Sequence, residues 1–187
     1  MLYENLKDYC VNDLVSEDAE VIFVLESPHT QEVKNGYPVA GKSGVDMSKI
    51  LFGFNEPFGK LIYEQTIQKI AIINVCNYPL QKSAYSNSDM PELEFFQKIR
   101  QNPKLRKYDK EGINATLKPM MKDFSQRLLQ YKDKKIILCG NFAQSCFENY
   151  LKKDDFANTL YVPHPSFNNW KKQRYKDAIE TLQRFVK

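Results

Sequence analysis

The stretch Val21-Ile-Phe-Val-Leu25 decides the fold, because five consecutive apolar residues, three of them β-branched, predict a strand buried on both faces. Three further runs of this kind follow: Ile70 to Val75, Ile136 to Cys139 and Thr159 to Val162. Longer amphipathic stretches separate them, an alternation typical of a parallel sheet covered by helices. The sequence therefore predicts an α/β fold, a three-layer αβα sandwich with a central, mainly parallel four-stranded sheet.

Six helices are expected around these strands. They are predicted over Leu2 to Leu14, Asp46 to Phe52, Pro91 to Arg100, Thr116 to Tyr131, Phe142 to Lys152 and Trp170 to Val186. In the last of them, apolar or aromatic residues recur at a helical spacing that buries one stripe. Strand and helix boundaries of this kind are good to a few residues.

The size of the chain bounds its organisation. With 187 residues, 42% of them hydrophobic and 27% charged, it is expected to form one domain over residues 1–187. Its apolar runs are far shorter than the roughly 20 residues of a membrane span. The first residues carry neither the positive nor the apolar region of a secretory signal. We therefore expect no membrane association and a cytoplasmic location.

The charge is unevenly distributed along the chain. Residues 1–32 hold eight acids and one lysine, although the whole chain has a net charge of +4. Basic residues concentrate between Lys98 and Lys110, and again from Lys171 to Lys187. This asymmetry suits a protein with one face on a phosphate backbone, although a solvated helix face also explains a run of lysines.

Polar residues follow each predicted strand. Glu26 and His29 follow the first, Asn74 lies at the end of the second, Gly140 follows the third and His164 follows the fourth. Because the carboxyl ends of parallel strands share one edge of the sheet, Glu26, His29, Asn74 and His164 predict a single polar site there.

The segment from Gly36 to Ser43 fits the phosphate-binding pattern G-x-x-x-x-G-K-[ST] letter for letter. In that motif a strand leads directly into the glycine turn, whose amides wrap the phosphates. Here about ten polar residues separate Leu25 from Gly36, so a P-loop nucleotide hydrolase is the weaker interpretation.

The same segment supports a different relationship. The sequence Leu25-Glu-Ser-Pro-His29, then Glu32, then Gly36 to Gly44, resembles the first motif of the uracil-DNA glycosylase superfamily, nearest to its iron-sulfur branch. Ile73-Asn74-Val75 resembles the strand-end asparagine of that family.

Two later motifs complete the resemblance. Residues 137–143, Ile-Leu-Cys-Gly-Asn-Phe-Ala, resemble the family's strand and helix start, and Val162-Pro-His-Pro-Ser166 resembles its H-P-S motif. The four motifs occur in the family's order over about residues 21 to 170.

The sequence also departs from the family. Ser27 replaces an acid or asparagine that positions water in many branches, and Val39 replaces the aromatic residue that stacks on uracil. The iron-sulfur branch uses an N-terminal C-x-x-C, whereas the four cysteines here are scattered without such a pair, and buried free thiols are expected. No metal or other cofactor is therefore predicted.

The resemblance implies roles for individual residues. His164 would donate a hydrogen bond to the departing base, and Glu26 would position the attacking water or stabilise the cationic sugar. Asn74, Ser27, Val39 and His29 would contact the base. Structural alternatives are a helix-capping histidine, a glutamate paired with a nearby lysine and an asparagine that ties loops together.

The resemblance also implies a DNA-binding surface. Its candidate residues are Gly41, Lys42, Ser43, Ser166, Phe167, Trp170 and Lys171. Phe167 and Trp170 occupy the place where the family inserts an apolar wedge into the duplex, although Trp170 also suits packing under the last helix.

Two functions remain open besides the P-loop interpretation. The first is a monofunctional DNA glycosylase acting on flipped uracil or a modified base, in single- or double-stranded DNA, without an obligatory protein partner. The second is a catalytically inactive nucleic-acid-binding module of the same fold.

Overall fold

The computed structural model describes residues 3–87, 90–102 and 111–186, and a four-stranded sheet lies at its centre. The strands are β1 (Val21–Leu25), β2 (Ile70–Asn74), β3 (Lys135–Cys139) and β4 (Asn158–Val162). They are arranged in the order β2-β1-β3-β4, and all three neighbouring pairs are parallel. Each strand matches its predicted run to within one residue at either end, so the predicted parallel sheet is confirmed.

Seven α-helices surround the sheet in the described part of the chain. They are α1 (Thr30–Asn35), α2 (Lys42–Phe52), α3 (Phe58–Tyr63), α4 (Pro91–Gln101), α5 (Glu111–Leu129), α6 (Asn141–Tyr150) and α7 (Lys176–Val186). Short 3₁₀ turns complete the fold at Glu4–Tyr9, Lys82–Ala84, Lys153–Asp155, Asn169–Lys171 and Gln173–Tyr175. None of the described helices is long and apolar enough to cross a membrane.

The sheet separates two apolar cores. Alternate side chains of a strand point to opposite faces, and in β1 the side chains of Ile22 and Val24 join α4, α5 and α6 in one core. Val21, Phe23 and Leu25 join α2, α3 and α7 in the other. This arrangement of helices, sheet and helices is the predicted three-layer sandwich.

Some predicted helices were wrong in extent. The N-terminal segment forms only a 3₁₀ turn over Glu4–Tyr9, and Leu14 instead pairs antiparallel with Ile72 of β2. The C-terminal segment is also broken, since Lys172 has an extended backbone and α7 begins at Lys176. In the N-terminal segment, the two backbone hydrogen bonds between Leu14 and Ile72 override the amphipathic pattern.

The strand order determines where a ligand can bind. From β1 the chain moves outward to β2 on one side, and β3 and β4 fill the other side. The carboxyl ends of β1 and β3 therefore flank a topological switch point, the place where open α/β sheets form a crevice.

Candidate active site

A cavity of about 610 Å³ opens at the carboxyl ends of the strands. It is lined by residues that follow all four strands: Glu26 after β1, Asn74 at the end of β2, Gly140 after β3 and His164 after β4. The structure thus brings together the strand-end residues that the sequence singled out. The predicted residues Ser27, His29, Val39, Ser43, Ser166 and Phe167 also line this cavity.

His164 has a defined tautomer. The backbone N–H of Ser166 donates to its Nδ1 at 3.2 Å, and Ser166 Oγ lies 2.8 Å from the same nitrogen. Because Nδ1 accepts a hydrogen bond, the neutral ring carries its hydrogen on Nε2. Burial lowers the pKa of His164 below its usual 6.5, while Glu26 acts to raise it and Arg100 to lower it. The ring can therefore serve as a neutral donor.

Gly140, at the end of β3, is packed closely against His164. Gly140 has φ 88° and ψ 162°, a conformation that is open essentially to glycine alone. A Cβ atom at this position would lie 2.6 Å from Cβ of His164. Close approach of β3 to the histidine therefore requires a glycine here.

Asn74 is buried, and its backbone is held on both sides. Its N–H donates to Oδ1 of Asp13 at 3.2 Å, and Nη1 of Arg127 donates to its carbonyl oxygen at 3.0 Å. Arg127 also bonds to Asp13 at 2.6 Å and to the carbonyl of Val75 at 3.2 Å. Among the described residues, Nδ2 of Asn74 has no hydrogen-bond partner. A residue of the cavity wall thus carries a buried amide donor that no described residue pairs.

Arg100 is a site residue that sequence reasoning missed. It lies in the last turn of α4 and lines the cavity, and its Nε donates to Oε1 of Glu26 at 2.6 Å. In the sequence, Arg100 stands at the end of a predicted helix and within a basic run, and its partner Glu26 is 74 positions away. The part of that run over residues 103–110 lies outside the described residues.

The loop between α1 and α2 is fixed by Glu32. Its carboxylate accepts hydrogen bonds from the N–H groups of His29 at 2.6 Å and Val39 at 3.0 Å. Burial raises the pKa of this carboxyl group, although both bonds act to lower it. Val39 is buried with φ 55°, an unusual conformation for a β-branched residue. A Cβ atom on Gly44 would lie 2.0 Å from the carbonyl oxygen of Val39. The close approach of Gly44 to Val39 therefore requires a glycine at position 44.

This geometry does not form a P-loop. Helix α1 stands between β1 and the glycine-containing segment, so no strand leads directly into the loop. Nζ of Lys42 donates to Oδ2 of Asp46 at 3.1 Å and to Oδ1 of Asn168 at 3.2 Å. Gly41 is the N-cap residue of α2.

Ser27 and His29 are both engaged by the same neighbouring loop. Oγ of Ser27 accepts a hydrogen bond from the N–H of Leu80 at 3.4 Å. Nε2 of His29 lies 2.8 Å from Oε1 of Gln81, and the His29 side chain is exposed. These two residues therefore connect the β1 end to the segment that follows β2.

The wedge segment, Phe167 and Asn168, projects beside the cavity. Phe167 is 85% exposed, and the two residues have φ values of 56° and 53°. Asn168 is bonded to Lys42, and the nearby Lys171 pairs with Asp46. An exposed apolar side chain thus precedes Asn168, the contact of Lys42, and Lys42 and Lys171 share the buried carboxylate of Asp46.

Trp170 lies in a different environment from the one predicted for DNA contact. Its side chain is buried in the core beneath α7, and Nε1 donates to the carbonyl oxygen of Pro163 at 2.7 Å. This placement fits the packing alternative, since the indole supports the loop that carries His164.

The four cysteines are free thiols, as expected from the sequence. Cys76, Cys139 and Cys146 are buried, Cys10 is partly exposed, and burial raises the pKa of Cys76 to about 12. Within residues 3–87, 90–102 and 111–186, no group of three or more histidine, cysteine or acidic side chains could hold a metal ion.

Comparison with known proteins supports the same relationship. A search of curated proteins gives no match. The family model of the uracil-DNA glycosylase superfamily, by contrast, matches residues 13–185, which include all four strands and every lining residue of the cavity. By its sequence match, its parallel sheet and the motifs at its strand ends, the chain belongs to the uracil-DNA glycosylase superfamily.

Proposed function

We propose that this protein is a monofunctional DNA glycosylase that hydrolyses the N-glycosidic bond of a flipped uracil or modified base. The observation that carries the proposal is the convergence of Glu26, Asn74 and His164 on one cavity. Membership of the superfamily supports a glycosylase-like activity in general. The identity of the base and the role of each residue are our inference.

In this mechanism, water attacks C1′ of the deoxyribose, and the bond from C1′ to the base nitrogen breaks. The bonding electrons leave with the base, which gains negative charge, while the sugar becomes cationic. The Nε2–H of neutral His164 donates to the oxygen where negative charge collects. A neutral donor suits this task, and burial favours the neutral ring by lowering the pKa of His164.

Asn74 would recognise the base before it leaves. Its unpartnered Nδ2 can donate to a carbonyl oxygen of the base, and its fixed backbone holds that donor in place. A site built to pair a polar group rejects ligands that leave the group unpaired, because the buried donor then loses its hydrogen bond. Asn74 therefore favours a base with a carbonyl acceptor.

Glu26 would act on the attacking water and the sugar, not on the base. Its carboxylate can orient the attacking water and accept its proton, and its charge can stabilise the cationic sugar. Ser27 is not placed for that role, since its hydroxyl is not a strong base and already bonds to Leu80.

The pocket favours a base that needs no aromatic stacking from the loop before α2. Val39 fills that position, and the phenyl and phenol rings of the cavity wall come from Phe142, Phe167 and Tyr175 instead. A cavity of about 610 Å³ also has room for a substituent on the ring. Uracil and larger modified pyrimidines are the substrates to test.

DNA would approach across the wedge segment. Phe167 can fill the gap left by the flipped base, while Lys42 and Lys171 beside it can contact phosphates. Ser43 and Ser166 line the same edge of the cavity and would assist.

The test is release of the base from defined oligonucleotides. Labelled single- and double-stranded DNA containing uracil, hypoxanthine or a substituted cytosine is incubated with the protein, and alkali-labile abasic sites are counted. The proposal expects cleavage that His164→Ala abolishes and that Gln126→Ala, on the exposed face of α5, leaves intact. Cleavage that survives His164→Ala would remove the mechanism. Salt-sensitive binding without base release would favour the inactive binding module instead.

A further inference from the structure

The ion pair between Arg100 and Glu26 is unexpected in a site of this kind. Glu26 is proposed to face a cationic sugar, yet its carboxylate already has a cationic partner at 2.6 Å. A guanidinium that stayed in this position would offset the negative charge and oppose the positive charge that develops on the sugar. The pair as it stands therefore describes a resting site.

Arg100 is placed to change partners. Its side chain is 37% exposed, whereas that of Glu26 is 19% exposed, so the arginine reaches solvent more than its partner does. It lies at the end of α4, and both residues line the same cavity. A guanidinium binds phosphate as well as carboxylate, because its planar donors match the oxygens of either group.

A flipped nucleotide would bring phosphates to this place. Its base enters the cavity while the two phosphates that flank its sugar remain outside it. One of them can therefore compete with Glu26 for the guanidinium. A free nucleoside has no such phosphate and would leave the ion pair intact.

We propose that Arg100 exchanges Glu26 for a backbone phosphate next to the flipped nucleotide, so that only polymeric DNA frees the Glu26 carboxylate. This inference rests on the function proposed above for Glu26. It assigns to Arg100 a contact with the DNA backbone. It also explains how the Glu26 carboxylate can be paired with Arg100 before DNA binds and still act on the sugar afterwards.

The experiment is a double-mutant cycle on DNA affinity, which requires no base release. The probe is a labelled duplex of about 15 base pairs with one tetrahydrofuran abasic-site analogue, titrated at several KCl concentrations. The variants are Glu26→Gln, Arg100→Gln and the double substitution. Lys98→Gln is the matched control, since it removes a positive charge from an exposed position of the same helix.

The exchange predicts opposite effects of the two single substitutions. Arg100→Gln weakens binding and reduces the slope of log affinity against log salt by about 1, the value for one lost phosphate contact. Glu26→Gln frees the arginine and tightens binding roughly two- to fivefold, the scale of a partly exposed ion pair. In the Arg100→Gln background, Glu26→Gln has no effect. Lys98→Gln leaves the effect of Glu26→Gln unchanged.

Two results would overturn the exchange. One is an unchanged salt slope in Arg100→Gln. The other is equal tightening by Glu26→Gln with and without Arg100, because the loss of a negative charge near DNA would then explain it alone. Arg100→Lys provides a second variant that keeps the charge, and its salt slope should match the wild type.

Failure of this inference is distinct from failure of the proposed function. Absence of base release from every oligonucleotide would remove the glycosylase proposal, and the double-mutant cycle would still measure whether Arg100 and Glu26 are coupled in DNA binding. A cycle without coupling, together with base release that depends on His164, would remove only the exchange.

Discussion

Gly140→Ala tests whether the backbone at the end of β3 sets the position of His164. The new Cβ would lie 2.6 Å from Cβ of His164, and an ordinary contact begins at 3.4 Å. The histidine must therefore move by about 0.8 Å, the difference between these two distances. A misplacement of about 1 Å can reduce a rate by about 100-fold. We expect a loss of this size in single-turnover base release.

The same substitution should also reduce stability. The conformation of Gly140, φ 88° and ψ 162°, is costly for a residue with a side chain, by about 1–3 kcal/mol. Urea denaturation measures this loss. The ring signals of His164 in an NMR spectrum should shift as well, and only two histidines are present to assign.

Gly53→Ala is the matched control for this experiment. Gly53 has φ 78°, but a Cβ there would meet nothing within 4 Å. It should cost about 1–2 kcal/mol of stability, as for other left-handed residues, without changing base release. If folded Gly140→Ala releases base at the wild-type rate, or if Gly53→Ala is equally impaired, close packing against β3 does not position the histidine.

Four further tests address the site and its support. Arg127→Met should lower the free energy of unfolding by about 3–5 kcal/mol, because it leaves Asp13 buried without its cationic partner. Urea denaturation measures this loss, and a loss below about 1 kcal/mol would contradict the expectation. Base release should decline as pH falls, with its midpoint below pH 6.5, because the neutral ring of His164 is the active form and burial lowers its pKa below that value; a midpoint at or above pH 6.5 in a pH–rate profile would refute this. The same lowered pKa makes folding stability fall as pH drops below 6.5, an effect that His164→Ala should lack. Phe167→Ala should change stability by less than about 0.5 kcal/mol, because the ring is exposed. The same substitution should slow base release from duplex DNA about 5- to 100-fold more than from single strands. Equal slowing on both substrates would argue against a wedge.

The strands could be predicted from the sequence because each is a short, continuous apolar run. All residues of β1 and β2 are buried, so local hydrophobicity alone marks them. Helices α1 and α3 were missed because each has six residues, fewer than two turns, and shows no clear apolar period. Their positions depend on tertiary contacts such as the bonds from Glu32 to the loop.

The site was predictable to the extent that it follows the strand ends. Glu26, Asn74 and His164 each stand next to a strand, so the parallel sheet brings them to one edge. Arg127 has one local partner, Asp123 four residues earlier in the same helix. No local pattern indicates that Arg100 pairs with Glu26 or that Arg127 pairs with Asp13. Such contacts between distant residues emerge only from the packed structure.

Arg127 joins two properties that are often separate in an enzyme. It donates to the carbonyl of Asn74, the residue proposed above to recognise the base, and also neutralises the buried Asp13, so the same guanidinium would serve base selection as well as folding. A substitution that alters Asn74 by removing its hydrogen bond from Arg127 would therefore also reduce the amount of folded protein. Directed evolution toward new bases should instead accumulate changes at cavity positions outside this buried support, such as Asn141, whose side chain is exposed.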